Sequence, residues 1–330
     1  ISSFNFLIPL RRLICWPTRR RSRTSSMISP SKSYMKPEFK GMFFVIISAI
    51  AFGAIAIFAK TAYSAGSDPI SVLFFRFSIA SLVMIPWMIS RNIPLPRGRF
   101  LLGLILMGGI GYVSISFCYF TALTMASAGL VAILLYLYPA VVTIFSVLLF
   151  KERMTGLKLL ALLLAITGTV LTIGPGGGGQ LLGILLAMTA PFIYAAYILV
   201  GSRILKQVPV LSSSIVVMIS ASLVFGGAVA VQGLNLPHTW FGWGGILGIA
   251  LLSTVIAIIA FFAGLERVGP TNASVLSTFE PVTTVILAFL FLGEEIGPMR
   301  ITGGALILMA VILLAKSEFK KTYRKESYGS

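Results

Sequence analysis

Charge is what this 330-residue chain has least of: 11% of its positions are Asp, Glu, Lys or Arg, and nine are acidic. A soluble domain covers its surface with about a quarter charged residues. A water-facing globule is therefore excluded, and the solvent around most of the chain must be lipid. Histidine occurs once, as His238, which excludes a histidine-built metal site. The two cysteines, Cys15 in a basic stretch and Cys118 in an apolar one, have neither the spacing nor the partners of a disulfide framework or a zinc site. No metal and no cofactor are expected. The glycine run 174–179 lacks the Gly-Lys-Ser/Thr of a phosphate loop, so an ATP-driven reading fails and the run reads as a flexible turn.

What the chain does have is apolar length. Hydrophobic residues make up 57% of it, and the mean hydropathy is +0.99. A span needs about 20 mostly apolar residues to cross roughly 30 Å of hydrocarbon. Ten runs qualify: 41–63, 69–89, 100–123, 126–150, 157–173, 181–200, 210–231, 243–265, 271–292 and 301–315. Short connections rich in Gly and Pro separate them, leaving no room for a soluble domain. The expected fold is all-α and integral to the membrane, with ten transmembrane helices.

The basic residues sit in the tails and in alternate short loops. If the N-terminus is cytoplasmic, every Lys and Arg except Lys60, Arg76 and Arg300 lies inside, 23 of the 26. The bias of short loops toward the cytoplasm then gives N-in and C-in with an even span number. No nucleic-acid recognition module accompanies the +17 net charge; its partners are anionic lipid headgroups. Residues 1–40 read as a basic leader, either a transit peptide or an upstream extension before Met27 or Met35. Residues 316–330 read as a basic cytoplasmic tail. The expected location is a bacterial inner membrane, with an organelle envelope as the alternative.

The chain repeats itself. A shift of 142 carries Leu123 onto Leu265, Leu134 onto Leu276, Pro139 onto Pro281 and Glu152 onto Glu294. Gly41, opening the first span, falls on Gly183 in the sixth. Five spans per unit is an odd number, so the second unit enters the membrane from the opposite side. Inverted repeats of this kind characterise many secondary transporters. The expected division is a first repeat at 41–173, an outer linker at 174–180 and a second repeat at 181–315.

The stretches "ASAGLVAILLYLYPAVVTIFSVLLFKERMTG" and "TNASVLSTFEPVTTVILAFLFLGEEIGPMRITGGALIL" resemble the paired units of the EamA family in the drug/metabolite transporter superfamily. The pattern of small residues, then Pro, then a helix closing on Gly-Glu is matched by Pro281, Gly293 and Glu294. In the first unit Lys151-Glu152 departs from it at the Gly. The resemblance implies ten helices in two five-helix halves and transport of amino acids, nucleotide-related compounds, vitamins or drugs.

Three charges lie well inside the expected spans, where ionisable groups are functional candidates. Glu280 stands in the middle of the ninth run. A charge there costs about 2.5–3.5 kcal/mol, so it should face a cavity or take a proton. Ser277 and Thr284 share its helical face. Arg76 lies roughly 10 Å into the second run at 1.5 Å per residue; it could neutralise Glu280 or hold an anionic substrate. Lys60 sits near the end of the first run, where snorkelling is the alternative. Pro139 and Pro281 break helical hydrogen bonding at equivalent places, freeing the carbonyls of Leu135 and Ser277. Tyr138 and Glu280 each precede one of these prolines, which places them opposite each other in pseudo-symmetry. Tyr112, Ser116 and Tyr119 recur at helical spacing on the third run, and Tyr194 with Tyr197 on the sixth.

The expected function is secondary transport by alternating access, exporting or exchanging a small metabolite or drug, with protons as the candidate coupling ion. An intramembrane enzyme is the rival, but paired acids or a Ser/His pair are missing. A non-transporting receptor is the other, without a signalling domain to support it.

Overall fold

A computed structural model describes residues 37–150, 154–173, 179–204 and 207–328. The Lys151-Glu152 pair, residues 174–178 of the linker and residues 1–36 of the leader lie outside the described residues. The described residues are helical throughout, apart from turns and one isolated bridge between Ala126 and Gly179. In hydrocarbon every backbone N–H and C=O must be satisfied within its own segment, and only helices do that for such apolar runs.

The first span combines α1 (Pro37–Gly53) and α2 (Ile55–Ser64), and the second is α3 (Pro69–Ser90). The third runs from α4 (Arg99–Leu106) through a π-helical stretch, Met107–Tyr112, into α5 (Val113–Met125). The fourth is split into α6 (Ala128–Leu135) and α7 (Tyr138–Phe150), and α8 (Gly156–Ile173) closes the first repeat. The second repeat contains α9 (Leu181–Ile204), α10 (Val210–Gln232) and α11 (Trp240–Leu247). A second π-helical stretch, Gly248–Ile256, leads into α12 (Ala257–Leu276), followed by α13 (Phe279–Leu292) and α14 (Pro298–Tyr328). Nine helical stretches among the described residues are long and apolar enough to cross a membrane, and α13 is a shorter apolar tenth.

The helices pack as a pseudo-two-fold requires. Spans 2 and 7 pair through α3 and α10, spans 4 and 9 through α6 and α13, and spans 5 and 10 through α8 and α14. The pairing of span 1 with span 8 is repeated by that of span 3 with span 6. The chain is thus ten membrane helices in two inverted repeats. The seam between α8 and α14 requires glycine: a Cβ on Gly303 would lie 2.5 Å from the Gly168 carbonyl oxygen, and one on Gly168 2.6 Å from that of Gly303. Small residues allow such backbone approach where lipid offers no hydrophobic drive to association.

One expectation is corrected here. The ninth span does not run unbroken over 271–292 after a loop at 266–270. Instead α12 continues to Leu276, a turn occupies Ser277 and Thr278, and α13 begins at Phe279. The helix persists because Leu265 and Ala273 remain packed with Val45 of α1, with Val268 and Leu276 against that cluster. Pro281 then stands in the first turn of α13, where a missing N–H costs nothing because those donors have no intrahelical partner. Pro139 takes the same place in α7.

We call the membrane face near the start of α1 proximal and the opposite face distal. On the distal face Asp68 caps α3, accepting from the amides of Ile70 at 2.8 Å and Ser71 at 3.0 Å, with Pro69 leading the helix. The Asp68 carboxylate also accepts from the Asn235 side chain at 2.7 Å, and the Asn235 amide donates to the Ser71 hydroxyl at 3.0 Å. The His238 amide donates to the Ala65 carbonyl at 2.8 Å. This clasp ties the second repeat to the first. Partial burial opposes ionisation of Asp68, but the hydrogen bonds from Ser71, Asn235 and Ile70 outweigh it and hold the carboxyl below its ordinary range.

Candidate substrate site

The breaks in spans 4 and 9 face each other. Tyr136 stands in the turn between α6 and α7, and its hydroxyl reaches the opposite turn. It lies 2.9 Å from the Ser277 carbonyl and 2.8 Å from Glu280 Oε2. One hydroxyl thus meets both polar groups exposed by the second break. Glu280 is half-buried in the first turn of α13 rather than mid-helix. The positive end of that helix partly offsets the cost of a carboxylate at this depth. The 142-residue shift relates Tyr138 to Glu280, but the hydrogen bond to Glu280 comes from Tyr136, and the Tyr138 ring lies one step further, 6.1 Å from that of Tyr136. The turn at Tyr136 and Leu137 projects Tyr136 toward Glu280.

From Tyr136 a belt of rings crosses the bundle. Tyr138 meets Tyr194 at 4.7 Å, Tyr194 meets Tyr197 at 6.2 Å, and Tyr197 meets Tyr112 at 5.9 Å. Tyr112 meets Phe77 at 5.5 Å. Beyond it the Arg76 guanidinium lies 5.1 Å from the Phe77 ring centre and 5.3 Å from that of Phe120. Tyr138, Tyr194, Tyr197 and Tyr112 are half-buried, whereas Arg76 is 5% exposed. Arg76 Nε donates to the Thr254 hydroxyl at 3.0 Å, and that hydroxyl donates to the Ile249 carbonyl at 2.9 Å. Arg76 forms no ion pair with Glu280; its side chain meets Thr254 and the two rings.

Thr254 and Tyr112 occupy the two π-helical stretches, and the 142-residue shift superposes them. A π-helical turn widens the backbone and frees a carbonyl; such turns are frequent at functional sites. Here the Ile249 carbonyl accepts from the side chain that also meets Arg76.

The remaining candidates have structural occupations. Thr284 is buried, and its hydroxyl donates to the Gly53 carbonyl at 2.8 Å, sealing the interruption between α1 and α2. The Ser277 hydroxyl donates to Ala273 of its own helix. Ser116 and Tyr119 are buried, and the Tyr119 ring packs 5.9 Å from that of Phe120. Lys60 lies away from Glu280, at the distal end of the α6–α13 pair. It donates to the Ala126 carbonyl at 3.0 Å and pairs with Glu294 at 3.9 Å. Gly293, at a left-handed φ of 64°, turns the chain so that the Glu294 carboxylate receives the amides of Ala128 and Gly129 at the start of α6. This cap was invisible to a search for charges inside spans, since Glu294 lies just outside one.

An apolar crevice of about 680 Å3 opens elsewhere, between α2, α11 and α13, lined by Phe58, Trp240 and Phe291 among others. No ionisable residue lines it, and in a bilayer acyl chains fill such a surface.

These features define a multi-pass helical membrane protein with a polar and aromatic site at its repeat interface. Residues 39–174 and 181–316 each match the EamA-like transporter family, and the chain belongs to that family. It is 25% identical to the uncharacterized transporter YcbK of Bacillus subtilis over 295 residues, covering 84% of this chain and 93% of YcbK. It is 24% identical to the uncharacterized inner membrane transporter YicL of Salmonella typhimurium, covering 84% and 95% of the two chains. A solved crystal structure shares the fold at a TM-score of 0.61 with 18% identity, over 83% of this chain and 97% of that one.

Proposed function

We propose that this chain is a secondary transporter that moves a small molecule through the repeat interface by alternating access, as an exporter or exchanger. The observation that carries the reading is a carboxylate, Glu280, at the facing breaks of spans 4 and 9. Discontinuous helices at a repeat interface place polar groups where a substrate or coupling ion must pass. The unequal packing of the two repeats supports it as well. On the distal side α6 and α13 pack together, while on the proximal side α7 packs on α8, α9 and α14, and α12 packs on α1. Exchange of these arrangements between the repeats would open the other face.

In this reading Glu280 carries any proton-linked step, and the Tyr136 hydroxyl is its donor in the resting state. The lysine and arginine bias puts both termini in the cytoplasm. A bacterial inner membrane fits that bias, and YicL is named for that location. An efflux or growth-rescue screen in a sensitive host identifies the cargo. Purified protein in vesicles should then show cargo flux that responds to a pH gradient, and Glu280→Gln should abolish it at equal protein level. Wild-type flux by that variant would reduce Glu280 to a packing residue. Reporter fusions after Ser90 and Ala315 should read cytoplasm, and one near His238 should read outside.

A further inference from the structure

Among the described residues, two charges in the bundle core have no opposite charge in salt-bridge contact. Glu280 uses Oε2 for the Tyr136 hydroxyl, and among the described residues no donor reaches Oε1. Arg76 uses Nε for Thr254, and among the described residues its Nη groups donate no hydrogen bond. Lys60, the third charge of the spans, is already occupied by Glu294 and the Ala126 carbonyl. A charge within the membrane that lacks an opposite charge is costly, and such groups are retained where something that passes or binds completes them. The need here is double and of opposite sign: one group requires a cation, the other an anion.

The material between them is aromatic. The half-buried rings of Tyr138, Tyr194, Tyr197 and Tyr112 lead from the Glu280 end to the Phe77 ring under Arg76, in steps of 4.7 to 6.2 Å. Ring faces favour flat groups and attract cations. The tyrosine hydroxyls tolerate a partly polar ligand better than aliphatic walls would.

Resting on the transport reading above, we infer that the cargo is an elongated zwitterion with a flat middle. Its cationic end lies at Glu280, its anionic end at Arg76, and its ring along the tyrosine belt. Such a molecule is neutral as a whole. It completes both protein charges at once, so the loaded site carries no net charge through the hydrocarbon. A simple cation or a simple anion would leave one of them unmatched.

The test uses three probes that share one ring: 4-(aminomethyl)benzoate, the zwitterion; 4-methylbenzylamine, the cation; and 4-methylbenzoate, the anion. Binding to the purified full chain in detergent is measured by equilibrium dialysis. The zwitterion should bind at least about tenfold tighter than either single-charge probe, the equivalent of one lost charged contact. Arg76→Gln should erase its advantage over the amine while keeping its advantage over the benzoate. Glu280→Gln should do the reverse. Arg76→Lys, which keeps the charge, should restore most of the discrimination, and gel filtration separates misfolded variants from altered ones. The inference is overturned if either single-charge probe matches the zwitterion, if both variants lose the same discrimination, or if none of the three binds. Failure of transport itself looks different. A chain that binds the benzoate as tightly as the zwitterion and exchanges it across vesicles sinks the zwitterion and keeps the carrier. A chain that binds the zwitterion with the stated discrimination but never moves any probe or screened cargo keeps the site and sinks the carrier.

Discussion

The α6–α13 pair and its repeat equivalent, α7 with the end of α12, start from related sequences and finish differently. In the first pair two helices run side by side, fastened at one end by Glu294 on the amides of Ala128 and Gly129 and at the other by Tyr136 on Ser277 and Glu280. In the second, α7 packs on α8, α9 and α14, while the end of α12 stays with α1. The Leu-Tyr-Pro and Phe-Glu-Pro segments occupy matching places, but only one carries a charge. One backbone plan therefore supports two different packings, and the side chains that fasten the first are few. The asymmetry of the site comes from Glu280 facing Tyr136 across the breaks, while its repeat mate Tyr138 joins the ring belt.

The largest expected effect tests that asymmetry. Glu280→Gln should lower the initial transport rate by about 100-fold or more, and its repeat mate Tyr138→Phe by roughly threefold or less, since one loses a charge and the other a hydroxyl. Equal losses would make the two repeats functionally symmetric. Next comes Tyr136→Phe, which removes the hydroxyl that donates to the Glu280 carboxylate and leaves the Ser277 carbonyl only the Glu280 backbone amide. A loss of about tenfold is expected, between the other two, because an unpaired buried acceptor costs on the order of 1–3 kcal/mol. A loss no larger than that of Tyr138→Phe would return the pairing to Tyr138.

The distal fastening should matter more for stability than for turnover. Glu294→Ala uncaps α6 and should cost about 1–2 kcal/mol in denaturant unfolding of the detergent-solubilised chain, as lost caps do. Lys60→Met should cost less than about 1 kcal/mol, because a 3.9 Å pair is the weaker contact. Equal costs would make the ion pair, rather than the cap, the fastener. The smallest effect belongs to the Asp68 clasp. Its carboxyl is held below the ordinary range, so the stabilisation is complete above the unfolded value of about 3.9 and is lost as pH falls through the lower folded value. Hydrogen exchange of residues 232–239 should be flat, after correction for the intrinsic rate, from about pH 5 to 8 and should rise only below about pH 4. A rise near neutral pH would assign the clasp to another group.

Much of this architecture was legible in the sequence because lipid imposes simple rules. Apolar length marks a span, and a proline at equivalent places marks a break. Glu280 and Arg76 stood out because a charge in a long apolar run is rare. Other parts were hidden for definite reasons. Tyr136 was passed over for Tyr138 because only the turn geometry decides which ring faces Glu280. Thr254 is one hydroxyl among many until a π-helical turn directs it at Arg76, and composition does not encode that turn. Glu294 served as a marker of the repeat, but its partners lie more than 160 positions away, beyond any periodicity. Thr284 looked like part of a polar stripe, yet its hydroxyl closes the gap at Gly53.

The Gly168–Gly303 seam has a mechanical consequence. Each glycine backbone lies where the other's side chain would be, with less than a methyl group to spare, so α8 and α14 cannot slide or part without opening a void. These are the last spans of the two repeats, and they form a keel that joins the halves end to end. Any rocking of one half on the other must turn about that keel. Spans 2 and 7 pack on each other rather than on it. In the alternating-access reading proposed above, a small rotation at the two glycines would be enlarged into travel at Arg76.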